Sequence, residues 1–484
     1  MAYVIRGLYT LTLLGLALCA GQAVVLMVLY LHHRRDPGPG APSAAEEDLP
    51  IVTVQVPLRN EQHVAHQIIR AVAAFDWPRD RLEIQVLDDS DDETAALVSA
   101  EVSRLQQAGV DIVEIRRERP RGYKAGALAE GLSRAKGDFV AVFDADFCPA
   151  ADFLRETVPH MLSDPDTGFV QARWTHLNAA YSLMTRIQAL ALDAHFTVEH
   201  LARNRSGLLV NANGSAVVWR RAAIEDVGGW SSDTVTEDLD LSYRMQLAGW
   251  RARYLPNVVA PAELTPLVTA FKAQQRRWAK GASQCLRKLA RPILRSRLLN
   301  PWQKVMGLLH LTGYFNQPLL LMMVLLMLPM VLVDARFADF GLWLGALAWV
   351  PPVLYLLGQV HLYRDWPRRI LAYPALMLLW LGMAWSLTLG LVDGLRHWGG
   401  TFVRTPKYRI QGRAGRWQSS SYRPQAGLTW VGELVMGVYV CCATWLALVR
   451  DQAHLVSLVA GYAVGQTMVL GLTLAQALAA RGAR

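Results

Sequence analysis

Residues 137–146 read GDFVAVFDAD, and this stretch decides the fold of the first half of the chain. Its apolar run, Phe139 to Phe143, has the length and composition of a buried β-strand, and two aspartates flank the alanine that follows it. Similar short β-rich runs occur at 51–56, 83–87 and 112–115, separated by helix-length segments. This alternation predicts an α/β domain with a mainly parallel sheet, in which ligands bind beyond the carboxyl ends of the strands.

Acidic side chains follow two of the predicted strands, where a ligand is expected. Asp144 and Asp146 come directly after the 139–143 run, and Asp88 and Asp89 come directly after the 83–87 run. Carboxylates spaced in this way share a hard cation such as Mg²⁺ or Mn²⁺, which bridges them to substrate phosphates. The alternative is that they are solvated turn aspartates or helix caps.

A third acidic cluster, Thr236-Glu237-Asp238, opens a predicted helix. Acidic residues in a first turn complement the helix dipole, which by itself would explain their presence. A carboxylate fixed at this position is also a candidate general base for an attacking sugar hydroxyl. The same carboxylate can complement the helix dipole and act as a general base, so the two interpretations are compatible.

The fourth motif is Gln274-x-x-Arg277-Trp278. A forked guanidinium suits bidentate contact to a diphosphate, and a neighbouring indole suits stacking against a sugar ring. The alternative is an amphipathic interfacial helix with a Trp anchor.

The composition predicts a membrane protein rather than an ordinary soluble enzyme. The chain has 484 residues, of which 52% are hydrophobic, and a formal net charge of +9. Its basic residues lie mainly beside apolar segments, which indicates positive-inside topology and no nucleic-acid partner. The five cysteines are scattered without the spacing of a zinc site, so we expect neither a disulfide framework nor a structural zinc.

The apolar runs predict five membrane spans and one helix lying at the interface. The first span is an N-terminal anchor, and the loop 396–425 is too basic to lie outside, so one apolar run should not cross. We expect this run to be 371–395, because Trp and Gly interrupt it and basic residues bracket it. The other predicted spans are 305–333, 342–362, 428–449 and 455–478; six crossings remain the alternative. Gln317, Gln359 and His361 are candidate inward-facing or interhelical polar residues at membrane depth.

Four domains follow from these patterns. They are an N-terminal helix and linker (1–49), a cytoplasmic catalytic domain (50–265), interfacial helices (266–304) and a C-terminal membrane region (305–484). The expected location is the plasma or inner membrane.

Taken in order, the four motifs resemble the D, D-x-D, T-E-D and Q-x-x-R-W pattern of processive family 2 glycosyltransferases. Phe402 to Lys407 also looks like the F-x-V-T-x-K gating loop of cellulose synthases, with Arg404 in place of the usual Val. The segments 54–57, 85–90, 122–128 and 170–174 are most similar to the plant cellulose-synthase-like A and C proteins. This resemblance implies a GT-A domain, mainly a parallel sheet, inserted in an α-helical transmembrane bundle.

The resemblance also implies a role for each matching residue. The expected catalytic residues are Asp238, Glu237 and Arg277. The expected donor-site residues are Pro57, Glu61, Asp88, Asp89, Lys124, Gly126, Asp144, Gln274 and Arg277. Trp278, Gly214 and Ser215 are expected beside the acceptor, although Asn213 stands where the family usually has Cys. Phe402, Thr405 and Lys407 are expected in the gating loop, and Asp144 and Asp146 are expected to hold Mg²⁺ or Mn²⁺.

The implied function is transfer of glucose or mannose from UDP-glucose or GDP-mannose to a growing β-linked polysaccharide, with export across the membrane. Two alternatives remain open on the sequence. One is a lipid glycosyltransferase that makes a glycosyl-diacylglycerol or glycosylceramide. The other, of a different class, is a transporter with a noncatalytic domain.

Overall fold

The computed structural model describes residues 2–36, 38, 40, 45–333, 348–401, 404–418, 420, 422 and 429–481. Within these residues the first half of the chain forms a seven-stranded sheet. Its strands are β1 (Val52–Leu58), β2 (Leu82–Asp88), β3 (Ile112–Ile115), β4 (Phe139–Val142), β5 (Thr167–His176), β6 (Val217–Arg220) and β7 (Arg251–Ala262).

The strand order is β3-β2-β1-β4-β6-β5-β7, and all pairs are parallel except the two that β6 makes with β4 and β5. The predicted mainly parallel sheet is therefore confirmed. From β1 the chain continues to β2 and β3 on one side of β1 in the sheet, whereas β4 lies on the other side of β1. The topological switch point, where the strand order reverses, is therefore between β1 and β4. Ligands of open α/β sheets bind at such a point, beyond the carboxyl ends of the strands.

Helices cover both faces of the sheet. Those of the sheet-forming half are α2 (Ala65–Ala73), α3 (Thr94–Gln107), α4 (Tyr123–Arg134), α5 (Phe153–Leu162), α6 (Leu183–Ala194), α7 (Leu201–Arg205), α8 (Arg221–Asp226), α9 (Glu237–Ala248) and α10 (Val268–Arg295). A π-helical turn, His195–His200, joins α6 to α7. One core lies between the sheet and α2, α3 and α5, and a second lies between the sheet and α4, α8 and α9. Burial on both faces explains why β4 reads as a continuous apolar run, Phe139 to Val142, rather than an alternating one.

The remaining helices are the apolar ones and their connectors. They are α1 (Ala2–His33), α11 (Pro301–Leu311), α12 (Asn316–Leu332), α13 (Val350–Leu362), α14 (Trp366–Arg369), α15 (Tyr373–Arg396), α16 (Thr429–Val449) and α17 (Ala453–Arg481). The predicted run 305–333 is two helices, because a 3₁₀ turn at Gly313–Phe315 separates α11 from α12.

Among the residues that the structure describes, five helical stretches are long and apolar enough to cross a membrane, which indicates a membrane protein. They are Ala2–His33, Gly313–Leu332, Trp366–Arg396, Trp430–Val449 and Ala460–Ala479. This set differs from the predicted one. Trp366–Arg396, expected at the interface, is long enough to span, whereas the described part of the predicted span 342–362 is α13, with 13 residues. Which of these two segments crosses stays a prediction.

The membrane helices pack directly on the helix that carries the Gln274-x-x-Arg277-Trp278 motif. Two glycines of α15 allow this approach: a Cβ atom at Gly390 would lie 2.6 Å from the backbone oxygen of Arg276, and one at Gly394 would lie within 2.3 Å of that of Lys280. A buried ion pair joins α10 to α16, since Lys272 Nζ lies 2.8 Å from Glu433 Oε1. The position of the motif is therefore set from the membrane side as well as from the sheet.

Candidate active site

One large cavity lies at the carboxyl edge of the sheet and continues between the apolar helices. Its volume is about 1590 Å³. At the sheet end it is lined by residues that follow β1, β2 and β4, as expected from the switch point. At the other end it is lined by residues of α1, α12, α13 and α15. The cavity thus joins a polar catalytic region to the membrane part of the molecule.

Asp144 and Asp146 follow β4 and both line this cavity. The Asp144 backbone N–H donates to Ser215 Oγ at 3.0 Å, which fixes the turn after the strand. Each carboxylate is paired with an ammonium group: Asp144 Oδ1 lies 2.6 Å from Lys124 Nζ, and Asp146 Oδ2 accepts from Lys407 Nζ. Burial raises the pKa of Asp146, and the charge of Lys407 opposes that rise.

These two carboxylates fit a divalent cation such as Mg²⁺ or Mn²⁺. They supply oxygen ligands on one side of an open cavity, where substrate phosphates and water would complete the coordination. Among the residues that the structure describes, no group of three or more His, Cys, Asp or Glu side chains forms a closed metal cage. The two carboxylates of Asp144 and Asp146 therefore suit a metal ion that takes its other ligands from the substrate and from water.

Lys124 links the acidic cluster after β4 to the start of α9. Its Nζ lies 3.5 Å from Glu237 Oε1 and donates to the Gly214 backbone oxygen at 2.8 Å. Burial alone would lower the pKa of Lys124, but the charges of Asp144 and Glu237 raise it above its ordinary value. Lys124 therefore stays a cation among the carboxylates.

Asp238 has the properties of a general base. Burial, together with the charge of Glu237, raises the pKa of its carboxyl to about 7, although Lys124 acts in the opposite direction. The group lies at the start of α9 and accepts from the backbone N–H of Leu239 at 2.8 Å. Gly214, at φ +74°, keeps space in front of it, because a Cβ atom there would lie 2.9 Å from Asp238 Oδ2. A base with a pKa near neutrality is well matched to proton abstraction at that pH.

The α10 motif contributes Gln274, Arg277 and Trp278 to the cavity wall. Burial lowers the pKa of Arg277, while the charges of Glu237, Asp144 and Asp238 oppose this effect. A guanidinium stays protonated in such surroundings. The acidic and basic motifs, separated in sequence, thus meet in one cavity.

Pro57, Glu61 and Asp89 line the cavity near the ends of β1 and β2, on the side predicted for the nucleotide. Asp89 Oδ1 accepts from Arg117 Nε at 3.0 Å. Glu61 forms an ion pair with Arg404, the residue that departs from the gating-loop pattern. Thr405 and Lys407 of that loop also line the cavity, whereas Phe402 lies outside the described residues.

Three predicted site residues lie behind the cavity wall. Asp88 is buried and accepts from the Ser90 backbone N–H at 2.9 Å. Ser215 is fully buried and supports Asp144 rather than facing the acceptor. At Gly126 a Cβ atom would lie 2.1 Å from the Arg121 backbone oxygen, so this glycine permits close packing. These residues support the site without lining it.

Several cavity residues have no counterpart among the predicted ones. Glu263, which directly follows β7, accepts from the backbone N–H groups of Tyr408 and Arg409 at 2.9 and 2.8 Å, and burial raises its pKa to about 7. His195 and Glu199 come from the π-helical turn. The sequence gives no local signal for this pair, because polar residues also occur elsewhere in the helical stretch 183–202.

The polar residues expected at membrane depth have different surroundings. Gln317 lines the cavity. Gln359 donates from Nε2 to Asp193 Oδ2 at 2.9 Å, so it bonds between helices, as the alternative interpretation expected. His361 packs edge-to-face on Tyr30, with ring centroids 5.9 Å apart.

Comparisons with known proteins agree with this geometry. Residues 50–288 match the sequence profile of the family described as "Glycosyltransferase like family 2". The chain is 41% identical over 278 residues to glucomannan 4-beta-mannosyltransferase 1 of Oryza sativa subsp. japonica, covering 56% of this chain and 53% of the relative. It is 42% identical over 262 residues to glucomannan 4-beta-mannosyltransferase 2 of Arabidopsis thaliana, covering 53% of this chain and 49% of the relative. The matched region thus spans about half the length of these curated relatives.

Among solved structures, the chain is similar to a mannosyltransferase of Pyrobaculum calidifontis determined in complex with GDP-Man and Mn²⁺. The TM-score is 0.55 at 21% identity, and the likeness covers 80% of this chain and 99% of that one. It shows that the two share a fold.

Proposed function

We propose that this chain, whose residues 50–288 match the glycosyltransferase family 2 profile, transfers a hexose from a nucleotide-sugar to a saccharide hydroxyl with inversion at the anomeric carbon. One observation carries the proposal. A partly buried carboxyl, Asp238, whose pKa is raised to about 7, shares a single cavity with the cations Lys124 and Arg277 and with the paired carboxylates Asp144 and Asp146.

The proposed reaction is a single displacement. Asp238 takes the proton of the acceptor hydroxyl, whose oxygen attacks the anomeric carbon as the bond to the nucleoside diphosphate breaks. Gly214 leaves room for the attacking sugar in front of this carboxylate. Glu237 keeps the pKa of Asp238 raised, so the base is matched to neutral pH. No covalent sugar intermediate on the protein is required.

The departing diphosphate needs positive charge close to where its own charge develops. Arg277 and Lys124 supply two cations that are buried and fixed before the substrate arrives, so little reorganisation is needed during the reaction. Asp144 and Asp146 would hold a divalent ion, which when bound neutralises phosphate charge as a Lewis acid. In the structure Lys407 pairs with Asp146, so donor binding would include a rearrangement of that lysine.

The sugar we propose is mannose, with glucose as the second candidate. The curated relatives with 41 and 42% identity are named as mannosyltransferases acting on glucomannan, and the likeness to each covers more than half of this chain. GDP-mannose is therefore the first donor to test and UDP-glucose the second. Pro57, Glu61 and Asp89 are the proposed nucleotide-side residues, with Trp278 as the acceptor platform.

The acceptor we propose is a growing β-1,4-linked polysaccharide that leaves through the membrane part. The cavity supports this because it continues past Tyr314 and Gln317 to α1, where Leu13 and Cys19 line it. The proposed topology places the catalytic domain on the cytoplasmic side of the plasma or inner membrane. A lipid acceptor is the second candidate, favoured by the aliphatic lining of the same cavity at Leu320 and Leu381.

The test uses the full chain in nanodiscs with Mg²⁺ or Mn²⁺ and labelled GDP-mannose or UDP-glucose in separate reactions. The product is partitioned between organic solvent and ethanol-insoluble material and then digested with β-mannanase or β-glucanase. Insoluble, mannanase-sensitive label supports the proposal as stated. Label in the organic phase would show that the product is a glycolipid rather than a polymer. Absence of donor turnover would contradict the enzyme proposal and leave the transporter as the remaining hypothesis.

Export is tested separately through Cys19. A variant keeping Cys19 alone, with the other four cysteines changed to Ser, is treated with a small maleimide before and during synthesis. A polymer in the cavity should slow labelling of Cys19 during synthesis. The matched control carries Ser163→Cys as its one cysteine, at an exposed position of the sheet domain outside the cavity, and its labelling should not change. Equal labelling of Cys19 in both states would contradict the proposed path.

A further inference from the structure

Arg404 lies in contact with Glu61, at the end of the cavity proposed for the nucleotide. The two side chains form an ion pair between the segment that follows α15 and the loop after β1, and both line the cavity. The side chain of Arg404 is 23% exposed and that of Glu61 is 14% exposed, so each has surface that a ligand can reach. The cellulose-synthase pattern has a Val at position 404 and therefore assigns no role to a guanidinium there.

The backbone next to Glu61 is held in an uncommon conformation. Asn60 has a φ of +54°, a left-handed value that asparagine adopts more readily than most residues. Its backbone N–H donates to Ser90 Oγ at 2.8 Å, and its side chain exchanges two hydrogen bonds with Asp91, at 2.7 and 3.0 Å. The loop after β2 thus fixes the loop after β1. Backbone strain that is supported in this way is typical of ligand-binding sites.

The separation between this ion pair and the proposed metal site suits a nucleoside diphosphate. Asp146 accepts from Lys407, which comes three residues after Arg404. Three residues extend over at most about 11 Å, which is comparable to the reach of a nucleotide from its phosphates to its base. The sheet gives the same direction, because Asp146 follows β4, Glu61 follows β1, and the switch point lies between these strands. With its diphosphate at Asp144 and Asp146, the donor therefore places its base at Arg404 and Glu61.

In the absence of a base, the two side chains are each other's partners. A largely buried carboxylate or guanidinium is costly when it is left unpaired. A carboxylate only accepts hydrogen bonds and a guanidinium only donates them. A base that enters between Glu61 and Arg404 must therefore offer donors to the first and acceptors to the second.

Guanine has this pattern along one side of the base. Its N1–H and its amino group are donors, and its O6 and N7 atoms are acceptors that arginine commonly contacts with both arms of its fork. Uracil has a single donor, N3–H, between the acceptors O2 and O4. With uracil the carboxylate would face an acceptor and the guanidinium would lose one of its partners. A site built for one pattern rejects a ligand that leaves its polar groups unpaired.

We infer that Arg404 and Glu61 read the base of the donor and select guanine over uracil, Arg404 through O6 and N7 and Glu61 through N1–H and the amino group. This inference rests on the proposed function, because it names the nucleotide of the same donor site. Both residues contact the base and set specificity, and neither takes part in the displacement. The donor class is a guanosine diphosphate sugar.

The test measures nucleotide binding without transfer. The full chain in nanodiscs with Mn²⁺ is titrated by calorimetry with GDP, UDP and inosine diphosphate, whose base is guanine without the amino group. The unsubstituted chain should bind GDP about 10–100-fold more tightly than UDP, the range expected for a bidentate contact to the base. It should bind GDP about tenfold more tightly than inosine diphosphate, because one hydrogen bond to a charged group is lost.

Two variants separate the two contacts. Glu61→Gln keeps the shape but offers one acceptor oxygen where guanine has two donors, so the preference for GDP over inosine diphosphate should fall toward one. Arg404→Val introduces the residue usual in the cellulose-synthase pattern and should lower the preference for GDP over UDP about tenfold, with little change in the Kd of UDP. The matched control is Glu130→Gln, which removes a carboxylate from an Arg–Glu pair outside the cavity, with Arg134, and should leave all three Kd values unchanged.

The inference would be overturned if the unsubstituted chain bound UDP as tightly as GDP or more tightly. It would also be overturned if the preference for GDP survived both variants. Equal weakening of GDP and UDP binding would overturn it as well, because such a loss reports on the fold or on the phosphates rather than on the base. If Arg404→Val does not fold, Glu61→Gln with the inosine comparison decides.

The outcomes separate this inference from the proposed function. A preference for guanine that depends on Arg404 and Glu61, in a chain that transfers no sugar, would overturn the proposed function and keep the inference. Transfer from UDP-glucose and not from GDP-mannose would keep the glycosyltransferase proposal and overturn the inference. Absence of binding of every nucleotide would overturn both.

Discussion

Replacing Asp238 by Asn removes the proposed base while keeping its shape. Burial and the charge of Glu237 raise the pKa of Asp238 to about 7, so at pH 8 the carboxyl is mostly ionised and able to accept a proton. The amide cannot do so. General-base catalysis contributes roughly 10²–10⁴ in rate, which corresponds to about 3–5 kcal/mol of activation free energy, and we expect kcat to fall by that factor.

Donor binding should survive this change. The amide in the Asp238→Asn variant carries no negative charge to repel a diphosphate, so the Kd of GDP is expected to stay the same or become smaller. Stability should not fall either. The raised pKa means that the folded state holds its proton more tightly than the unfolded chain, so stability is lost as pH rises toward 7. The neutral amide avoids that loss, and Tm at pH 8 should equal or exceed that of the unsubstituted protein.

The assay is single-turnover release of nucleotide from labelled donor in nanodiscs at pH 8, with calorimetric GDP binding on the same preparation. The expected pattern is a loss of at least about a hundredfold in the transfer rate with GDP binding retained. A loss of GDP binding equal to the loss of rate, or a rate reduced less than about tenfold, would refute the assignment of Asp238 as the base.

Four other predictions concern the same site. In a pH profile, kcat/KM for the donor should fall about tenfold per unit below pH 7, because protonation of Asp238 beside Glu237 removes the base; a flat profile from pH 5 to 8 would contradict this. Arg277→Lys should lower kcat/KM by about 10–100-fold in steady-state nucleotide release, because a lysine cannot make the forked contact to a diphosphate. Asp240→Asn should lower Tm, since this buried carboxylate lies 2.9 Å from Lys288 Nζ and breaking a buried pair costs about 3–5 kcal/mol, while the transfer rate of the folded fraction should persist. Chelation of divalent ions should abolish turnover and Mn²⁺ or Mg²⁺ should restore it, whereas full activity in excess chelator would argue against a metal at the paired carboxylates.

The sheet-forming half of the fold was predictable from sequence because its short β-rich runs alternate with helix-length segments. The run 139–143 is followed by Asp144-x-Asp146, and the carboxyl ends of parallel strands meet at one edge, so strand position alone predicted these aspartates at the ligand-binding edge of the sheet. The start of α9 at Glu237 followed from its acidic first turn. These features are local, and local patterns are visible in a sequence.

The parts that were not predictable depend on contacts between distant segments. Glu61 meets Arg404, and Glu263 accepts from the backbone after Lys407, although no local pattern connects these positions. Ser215 matched a motif, yet its hydroxyl is directed to the Asp144 backbone rather than to the cavity. A motif identifies a residue type at a position, but only packing decides which atoms it contacts.

The apolar helices, too, were only partly predictable from the sequence. Hydropathy located the apolar segments, but the Trp and Gly content of 371–395 does not reveal that α15 is one continuous helix of 24 residues. Gly390 and Gly394 allow α15 to pack on α10, and Gly382 allows it to pack on α17, so these glycines do not interrupt the helix. Composition alone does not distinguish these two uses of glycine in an apolar helix.

The most direct test of the account is the anomeric configuration of the first product. The full chain is incubated with GDP-mannose, whose sugar is α-linked, and with β-1,4-mannohexaose, and the new linkage is determined by proton NMR. Single displacement with Asp238 as base predicts a β-linked heptasaccharide that the Asp238→Asn variant does not form. An α-linked product would contradict inversion in this cavity, and a β-linked product formed equally fast by the variant would contradict the role of Asp238.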